Sequence, residues 1–319
     1  MRQLLEAVGD HLPVLPDGET GERHHWIIHI VEGLRRHPDL ELKQDGRWAD
    51  YDDLLVFKIR RGHTLSGESL DFGHVAAFRA SYPIYRQVRG PAQTGFQVGI
   101  PGDLDMALFV LGPVGALRNR RPFTDATIAE IRAIHAEAGT DVVFQIEIPV
   151  ELVMVARTPP PLRPLVARML GRGVANLARQ APEGARFGLH LCLGDMNHRA
   201  LGRMSDAGPL VALTNAIVKA WPAGRALEYV HAPVAAAEQP PPTDPGWYAP
   251  LRRLRLPAHT RLVAGLAHED QDLATQRQII QTIDDLVGDR AGVSTSCGLG
   301  RRTPDAAARA LRRISDLTA

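Results

Sequence analysis

The chain alternates apolar, strand-like runs with amphipathic segments along most of its length. The clearest strand-like runs are nearly continuous in Val, Ile, Leu and Phe, and they cover residues 95–100, 141–148, 186–192, 225–230, 261–266 and 292–295. Earlier candidates at residues 12–15 and 54–59 bring the number of predicted strands to eight. Runs of this kind are typical of parallel strands that are buried on both faces.

Amphipathic segments lie between these strands. Residues 124–139 carry Ile128, Ile131 and Ile134 at helical spacing. The same pattern recurs over residues 162–181, 208–220, 272–287 and 304–317. This strand and helix alternation predicts a closed (β/α)8 TIM barrel, formed as a single domain over residues 1–319 with an N-terminal embellishment at residues 1–43. An open doubly wound sheet is the alternative, although no strand is followed by Gly-x-Gly-x-x-Gly.

Composition and charge argue against several classes of protein. The 319 residues are 45% hydrophobic, which is enough for a large core. A net charge of +1 gives no electrostatic reason to bind nucleic acid or an anionic membrane. No apolar run approaches the roughly 18 residues of a spanning helix. Because the N-terminus lacks a signal-peptide core, we expect a cytoplasmic protein whose two cysteines stay reduced. The sequence does not indicate an oligomeric state.

Polar residues lie at the carboxyl ends of the predicted strands. In a TIM barrel, the catalytic groups lie at these ends. They are Asp17, Glu19, Glu147, His190, Cys192, Glu228, His231, His268 and Cys297. His190 and Cys192 point the same way, because side chains two apart in a strand share a face. Together, His190, Cys192, Glu228 and Cys297 would form a set of nitrogen, sulfur and oxygen ligands suited to Zn²⁺.

Each of these residues also has an ordinary interpretation. A strand histidine or a lone cysteine is commonly a buried core residue. A carboxylate such as Glu228 in a buried strand needs a metal or an arginine partner, for example Arg225. His268 is alternatively an exposed loop histidine beside Glu269, and the loop at residues 17–23 is alternatively a simple turn.

The order of the candidate ligands resembles the catalytic barrel of the cobalamin-independent methionine synthase family. The resemblance rests on His190-Leu191-Cys192, on Leu227-Glu228-Tyr229 and on Cys297-Gly298-Leu299-Gly300-Arg301, and it covers the chain from about residue 95 onward. It implies a TIM barrel that binds zinc through His190, Cys192, Glu228 and Cys297.

Two further segments resemble the same family. Residues 145–149, Gln-Ile-Glu-Ile-Pro, are similar to its Gln-Ile-Asp-Glu-Pro, which implies that Glu147 contacts an amino-acid-like substrate. Residues 264–268, Ala-Gly-Leu-Ala-His, are similar to the segment that presents its acid, which implies proton transfer by His268. Ile148 replaces the family's second acid, and residues 16–23 replace its Ile-Gly-Ser loop. The identity of the thiol therefore stays open.

The resulting prediction is a zinc-dependent thiol methyltransferase. A zinc-activated thiolate would attack an alkyl carbon, most simply a methyl group donated by a folate or a methyl-corrinoid. His268 would protonate the leaving group, with His231 and His198 as alternatives. The substrate would contact Glu147, Asp17, Glu19 and Arg23.

Two alternatives to methyl transfer remain. One is uroporphyrinogen decarboxylase-like or C–S bond chemistry in the same barrel. The other is a non-catalytic zinc-binding protein, in which four protein ligands would close the metal site.

Overall fold

A computed structural model describes residues 1–18, 21–89 and 94–318. The strands in these ranges are β1 Val14–Pro16, β2 Leu40–Gln44, β3 Val56–Ile59, β4 Gly95–Pro101, β5 Val142–Glu147, β6 Arg186–His190, β7 Leu227–Pro233, β8 Arg261–Gly265 and β9 Gly292–Ser294. The helices are α1 Arg2–Val8, α2 Trp26–Gly33, α3 His74–Val88, α4 Asp103–Arg118, α5 Arg120–Ala138, α6 Pro149–Arg157, α7 Arg163–Gln180, α8 Gly208–Ala220, α9 Pro245–Tyr248, α10 Leu273–Val287 and α11 Pro304–Thr318.

Seven of these strands form one curled parallel sheet in the order β1-β4-β5-β6-β7-β8-β9. The other two, β2 and β3, form a separate antiparallel pair. Apart from that pair, strands that are adjacent in the sheet are also consecutive in the chain, as in a TIM barrel. The predicted parallel α/β architecture is therefore confirmed.

The predicted closure into eight strands is not observed in the part of the chain that the structure describes. The run predicted at residues 54–59 forms β3, which pairs with β2 outside the parallel sheet. Within the described ranges, β1 and β9 are the two edges of the sheet and do not pair with each other. The sheet is consequently a half-barrel.

The start of helix α10 follows local capping chemistry. Asp272 precedes α10 and accepts a hydrogen bond from the Thr275 backbone N–H at 2.8 Å, as an N-cap residue does. Helix α5 begins at Arg120, earlier than predicted, and the Thr124 hydroxyl within it donates to Asp103 at 2.6 Å. No helix in the described ranges is long and apolar enough to cross a membrane.

The two faces of the sheet have different chemistry. One face packs against the helices through large apolar side chains, including those of Phe96, Phe144, Ile146, Phe187 and Leu189. The opposite, concave face carries the polar side chains of Gln97, Gln145, Glu147, His190, Tyr229 and His231, which line a cavity of about 1270 Å³. Strand alternation thus places the candidate functional residues on the inside of the curl.

The Tyr229 side chain lies across this concave face and reaches neighbouring strands. Its hydroxyl lies 3.1 Å from Gln97 Oε1 and 3.0 Å from Gln145 Oε1. A Cβ atom at Gly188 would lie 2.1 Å from the Tyr229 ring, so only glycine allows the ring to lie flat on β6. The polar residues that line the cavity are therefore held by hydrogen bonds across the strands.

Candidate metal and substrate site

Three of the predicted ligands meet at the carboxyl ends of the strands. His190 is the last residue of β6, Cys192 lies two residues beyond it, and Cys297 follows β9. One ligand atom from each of these residues lies within 4.8 Å of the other two. His190 and Cys192 are buried, and Cys297 is half-buried and lines the cavity.

The spacing and charge of the two sulfurs suit a metal. Cys192 Sγ lies 3.7 Å from Cys297 Sγ, and two sulfurs bound at 2.3 Å to a tetrahedral zinc would be about 3.8 Å apart. The hydrogen bond from the Cys192 thiol holds the pKa of Cys297 well below its usual range, and the nearby Arg301 guanidinium lowers it further. The same hydrogen bond raises the pKa of Cys192. Negative charge is therefore favoured on one of the two sulfurs, that of Cys297.

A second histidine lies directly against the first. Strand pairing sets His190 opposite His231, and their Nδ1 atoms are 2.6 Å apart. His231 Nε2 lies 2.9 Å from the Thr295 carbonyl oxygen. Burial lowers the pKa of His231 to about 3, so this ring is neutral near pH 7.

The structure does not bring Glu228 to this group. Arg186 binds its carboxylate through two hydrogen bonds, one of which joins Nη2 to Oε2 at 3.0 Å. Both residues lie near the amino ends of their strands, whereas His190 and Cys192 lie at or beyond the carboxyl end. The half-buried carboxylate is paired with an arginine, as the ordinary interpretation allowed, but the partner is Arg186 and not Arg225. A ligand role for Glu228 does not fit this geometry.

The substitution Glu228→Gln is accordingly expected to leave the metal content unchanged. The Arg186 and Glu228 side chains are 30% and 27% exposed, so losing this ion pair should lower the free energy of unfolding by no more than about 1 kcal/mol. Metal analysis and urea unfolding of the variant test both expectations. Loss of the metal from a folded variant would restore Glu228 as a ligand.

His268 is also placed apart from the predicted site. It is fully buried and is not among the residues that line the cavity. Its Nε2 lies 3.2 Å from the Ala237 carbonyl oxygen, and its Nδ1 accepts the Asp270 backbone N–H at 3.2 Å. Because both ring nitrogens are engaged, a proton-transfer role for His268 does not fit. Of the two alternatives, His231 lines the cavity and His198 does not.

Glu147 lies where a substrate residue was predicted. It is the last residue of β5, is paired in register with His190, and lines the cavity. Gln145 Nε2 donates to its Oε1 at 3.3 Å. Burial raises the pKa of Glu147, and the neighbouring His190 opposes this shift. A cationic substrate group would add to the stabilisation that His190 and Gln145 give the ionised carboxylate.

The loop after β1 contributes one cavity residue and its support. Asp17 lines the cavity, and Arg23 Nη2 lies 3.3 Å from its Oδ2. Burial raises the pKa of Asp17, and Arg23 opposes this shift. The guanidinium thus positions the Asp17 carboxylate. Glu19, the third residue predicted in this loop, lies outside the described residues.

Two neighbours of the cysteines were not predicted. Arg301 Nη1 lies 3.7 Å from Cys297 Sγ, four residues along the same loop. Asp195, three residues after Cys192, is buried, and its carboxylate oxygens have no hydrogen-bond partner within the described residues. Burial, reinforced by Cys297, raises the pKa of Asp195 to about 7. Their short spacing from the cysteines was the available sequence signal.

The cavity reaches beyond the metal-ligand candidates. It passes along Val14, Val263 and Val293, near β1 and β9, which are the edge strands of the sheet in the described ranges. Its far end is lined by residues of α1, α10 and α11, among them Leu4, Ile280 and Leu311. The same helices also contribute Arg277 and Asp284 to the lining, so the polar site adjoins a region of mixed apolar and charged side chains with room for a substrate larger than a simple thiol.

Comparison with known proteins finds similarity in structure alone. No protein-family profile matches the chain, and no curated protein matches it significantly in sequence. A B12-independent methionine synthase from Shewanella sp. W3-18-1, solved with selenomethionine, superposes with a TM-score of 0.60 at 14% identity, over 99% of this chain and 84% of that one. A methyltransferase from Methanosarcina mazei superposes with a TM-score of 0.50 at 16% identity, over 99% of this chain and 96% of that one. The predicted resemblance is thereby confirmed for the fold: this chain has the fold of B12-independent methionine synthase.

Proposed function

We propose that the protein transfers an alkyl group, most simply methyl, to a small thiol at a zinc site formed by His190, Cys192 and Cys297. The observation that carries the proposal is the convergence of these three ligand atoms beside a polar cavity. The described residues thus offer three protein ligands, and a catalytic zinc site keeps its fourth position for water or substrate. The fold shared with a methionine synthase and a methyltransferase supports the same chemistry.

The donor set favours a thiol over water as the activated group. When bound, zinc would supply the Lewis acidity that keeps a substrate thiol in its thiolate form at neutral pH. With zinc bound, Cys192 and Cys297 would both be thiolate ligands, which would make the site rich in negative charge and disfavour the generation of a hydroxide. Glu147 and Asp17 would bind a cationic group of the substrate, and Arg23 would hold Asp17 in place.

Metal analysis and thiol titration test this proposal. Protein purified under reducing conditions is expected to contain one zinc per chain. In the cobalt-substituted protein, a thiol substrate should change the visible absorption spectrum, because a new sulfur ligand alters the ligand field. A protein that holds no zinc, or whose cobalt spectrum responds to no thiol, would contradict the proposal.

Replacement of Glu147 tests the substrate contact. For an amino-thiol, Glu147→Gln is expected to raise KM by about 10-fold or more, because a charge-assisted hydrogen bond contributes about 1.5–3 kcal/mol. A thiol without the amine should be insensitive to the change. Steady-state kinetics with the two thiols measure the difference, and equal losses for both would remove Glu147 from amine recognition.

A further inference from the structure

We infer that His231 is a positioning residue that fixes the tautomer of His190 and so directs the Nε2 lone pair of His190 toward the two sulfurs. The inference rests on the proposed zinc site and concerns how this chain prepares that site. It depends on a chain of contacts that runs from the Thr295 carbonyl through His231 to His190.

The position of each proton follows from the partners. A carbonyl oxygen only accepts hydrogen bonds, so the contact with Thr295 requires a proton on His231 Nε2. Burial disfavours a positive charge on the His231 ring, so its Nδ1 is bare. The contact between the two Nδ1 atoms, 2.6 Å apart, needs one proton, which His190 must then carry. His190 Nε2 is left with its lone pair, the form that binds a metal.

The framework around His231 is built to hold this arrangement. Thr295 is 4% exposed, and its hydroxyl donates to the Cys297 carbonyl oxygen at 2.7 Å. One residue therefore orients both His231 and the turn that carries Cys297. A Cβ atom at Gly265 would lie 2.8 Å from His231 Nε2 and 3.0 Å from the Thr295 oxygen, so glycine leaves the space that this contact requires.

The same contacts argue against His231 as a zinc ligand. One of its ring nitrogens faces Thr295, and the other faces His190. Neither ring nitrogen is therefore free to bind a metal at the sulfurs, and His231 does not belong to the group whose ligand atoms lie within 4.8 Å. The ring acts on the site through His190.

Two substitutions test whether His231 acts through its hydrogen bonds or only fills space. His231→Leu removes both polar ring atoms at similar volume, whereas His231→Gln retains one donor and one acceptor. Zinc affinity, measured by competition with a chromogenic chelator, is expected to fall about 10- to 100-fold in His231→Leu and to recover largely in His231→Gln. His259→Gln, at an exposed turn, is the matched control and should bind zinc like the wild type.

A second readout needs no metal. In zinc-free protein with ¹⁵N-labelled histidine, long-range ¹H–¹⁵N spectra should show His190 protonated at Nδ1, and His231→Leu should shift it toward the Nε2–H form. An unchanged tautomer in that variant would overturn the inference. So would X-ray absorption showing two imidazoles on the metal in the wild type and one in the variant. Tight zinc binding without any methyl transfer would instead refute the proposed function and leave this inference standing.

Discussion

Cys297→Ser is expected to lower methyl transfer by more than about 100-fold, a larger effect than the loss of a residue outside the ligand sphere. Serine keeps the shape of the side chain but supplies no thiolate, so the site would lose one of its two sulfur ligands. The fold should survive, because a chain of this length has a large core that does not depend on a metal. Turnover, zinc content and circular dichroism of the purified variant check these three expectations.

Ser296→Ala provides the control for this prediction. Ser296 is buried next to Cys297 in the same loop, and its hydroxyl has no hydrogen-bond partner among the described residues. This variant should keep both its zinc and its activity. Gross unfolding of Cys297→Ser beside an intact Ser296→Ala would favour the non-catalytic zinc-binding protein.

Arg302→Met is expected to lower the free energy of unfolding by about 3–5 kcal/mol, the cost of breaking a buried ion pair. Arg302 Nε lies 2.8 Å from one carboxylate oxygen of Glu269 and 3.0 Å from the other. The side chains are 0% and 3% exposed, so the substitution would leave Glu269 buried without its partner. Urea unfolding of zinc-free protein measures the loss directly.

The double variant Arg302→Met/Glu269→Leu tests whether the lost stability comes from the unpaired charge of Glu269. Removing both charges should recover much of the lost stability, because no buried charge is then left without a partner. The pair joins the loop after β8 to the loop after Cys297. His268 lies in the first of these loops, with its backbone held by Gln276, so we expect its replacement to act through stability. Equal stability of Arg302→Met and the wild type would contradict this account.

The parallel sheet and the pair His190 and Cys192 could be predicted because they depend on local patterns. Apolar runs mark buried strands, and side-chain alternation sets the two residues on one side. The position of Glu228 could not be predicted in this way. Leu227 pairs with Phe187 and Tyr229 pairs with Gly188, so Glu228 is the extra residue of a bulge. A bulge breaks the alternation, and its partner strand decides where it forms.

The other differences between the prediction and the structure arise because residues contact distant or competing partners. The Nε2 partner of His268 is the Ala237 carbonyl, which lies 31 residues earlier in another loop. Periodicity carries no information about such a pairing. The run at residues 54–59 has the composition of a barrel strand but pairs with the nearby β2.

The separation of the two cysteines in the chain has a kinetic consequence. They are 105 residues apart, and β7, β8 and β9 all lie between them. Contacts between such distant positions form late in folding. The chain loses conformational entropy when the intervening loop closes, and the contacts stabilise the protein only after that loss. Metal capture would thus follow assembly of the sheet, and zinc present during refolding would meet 13 histidines on an open chain first. The productive order is to refold the reduced chain without metal and to add zinc afterwards.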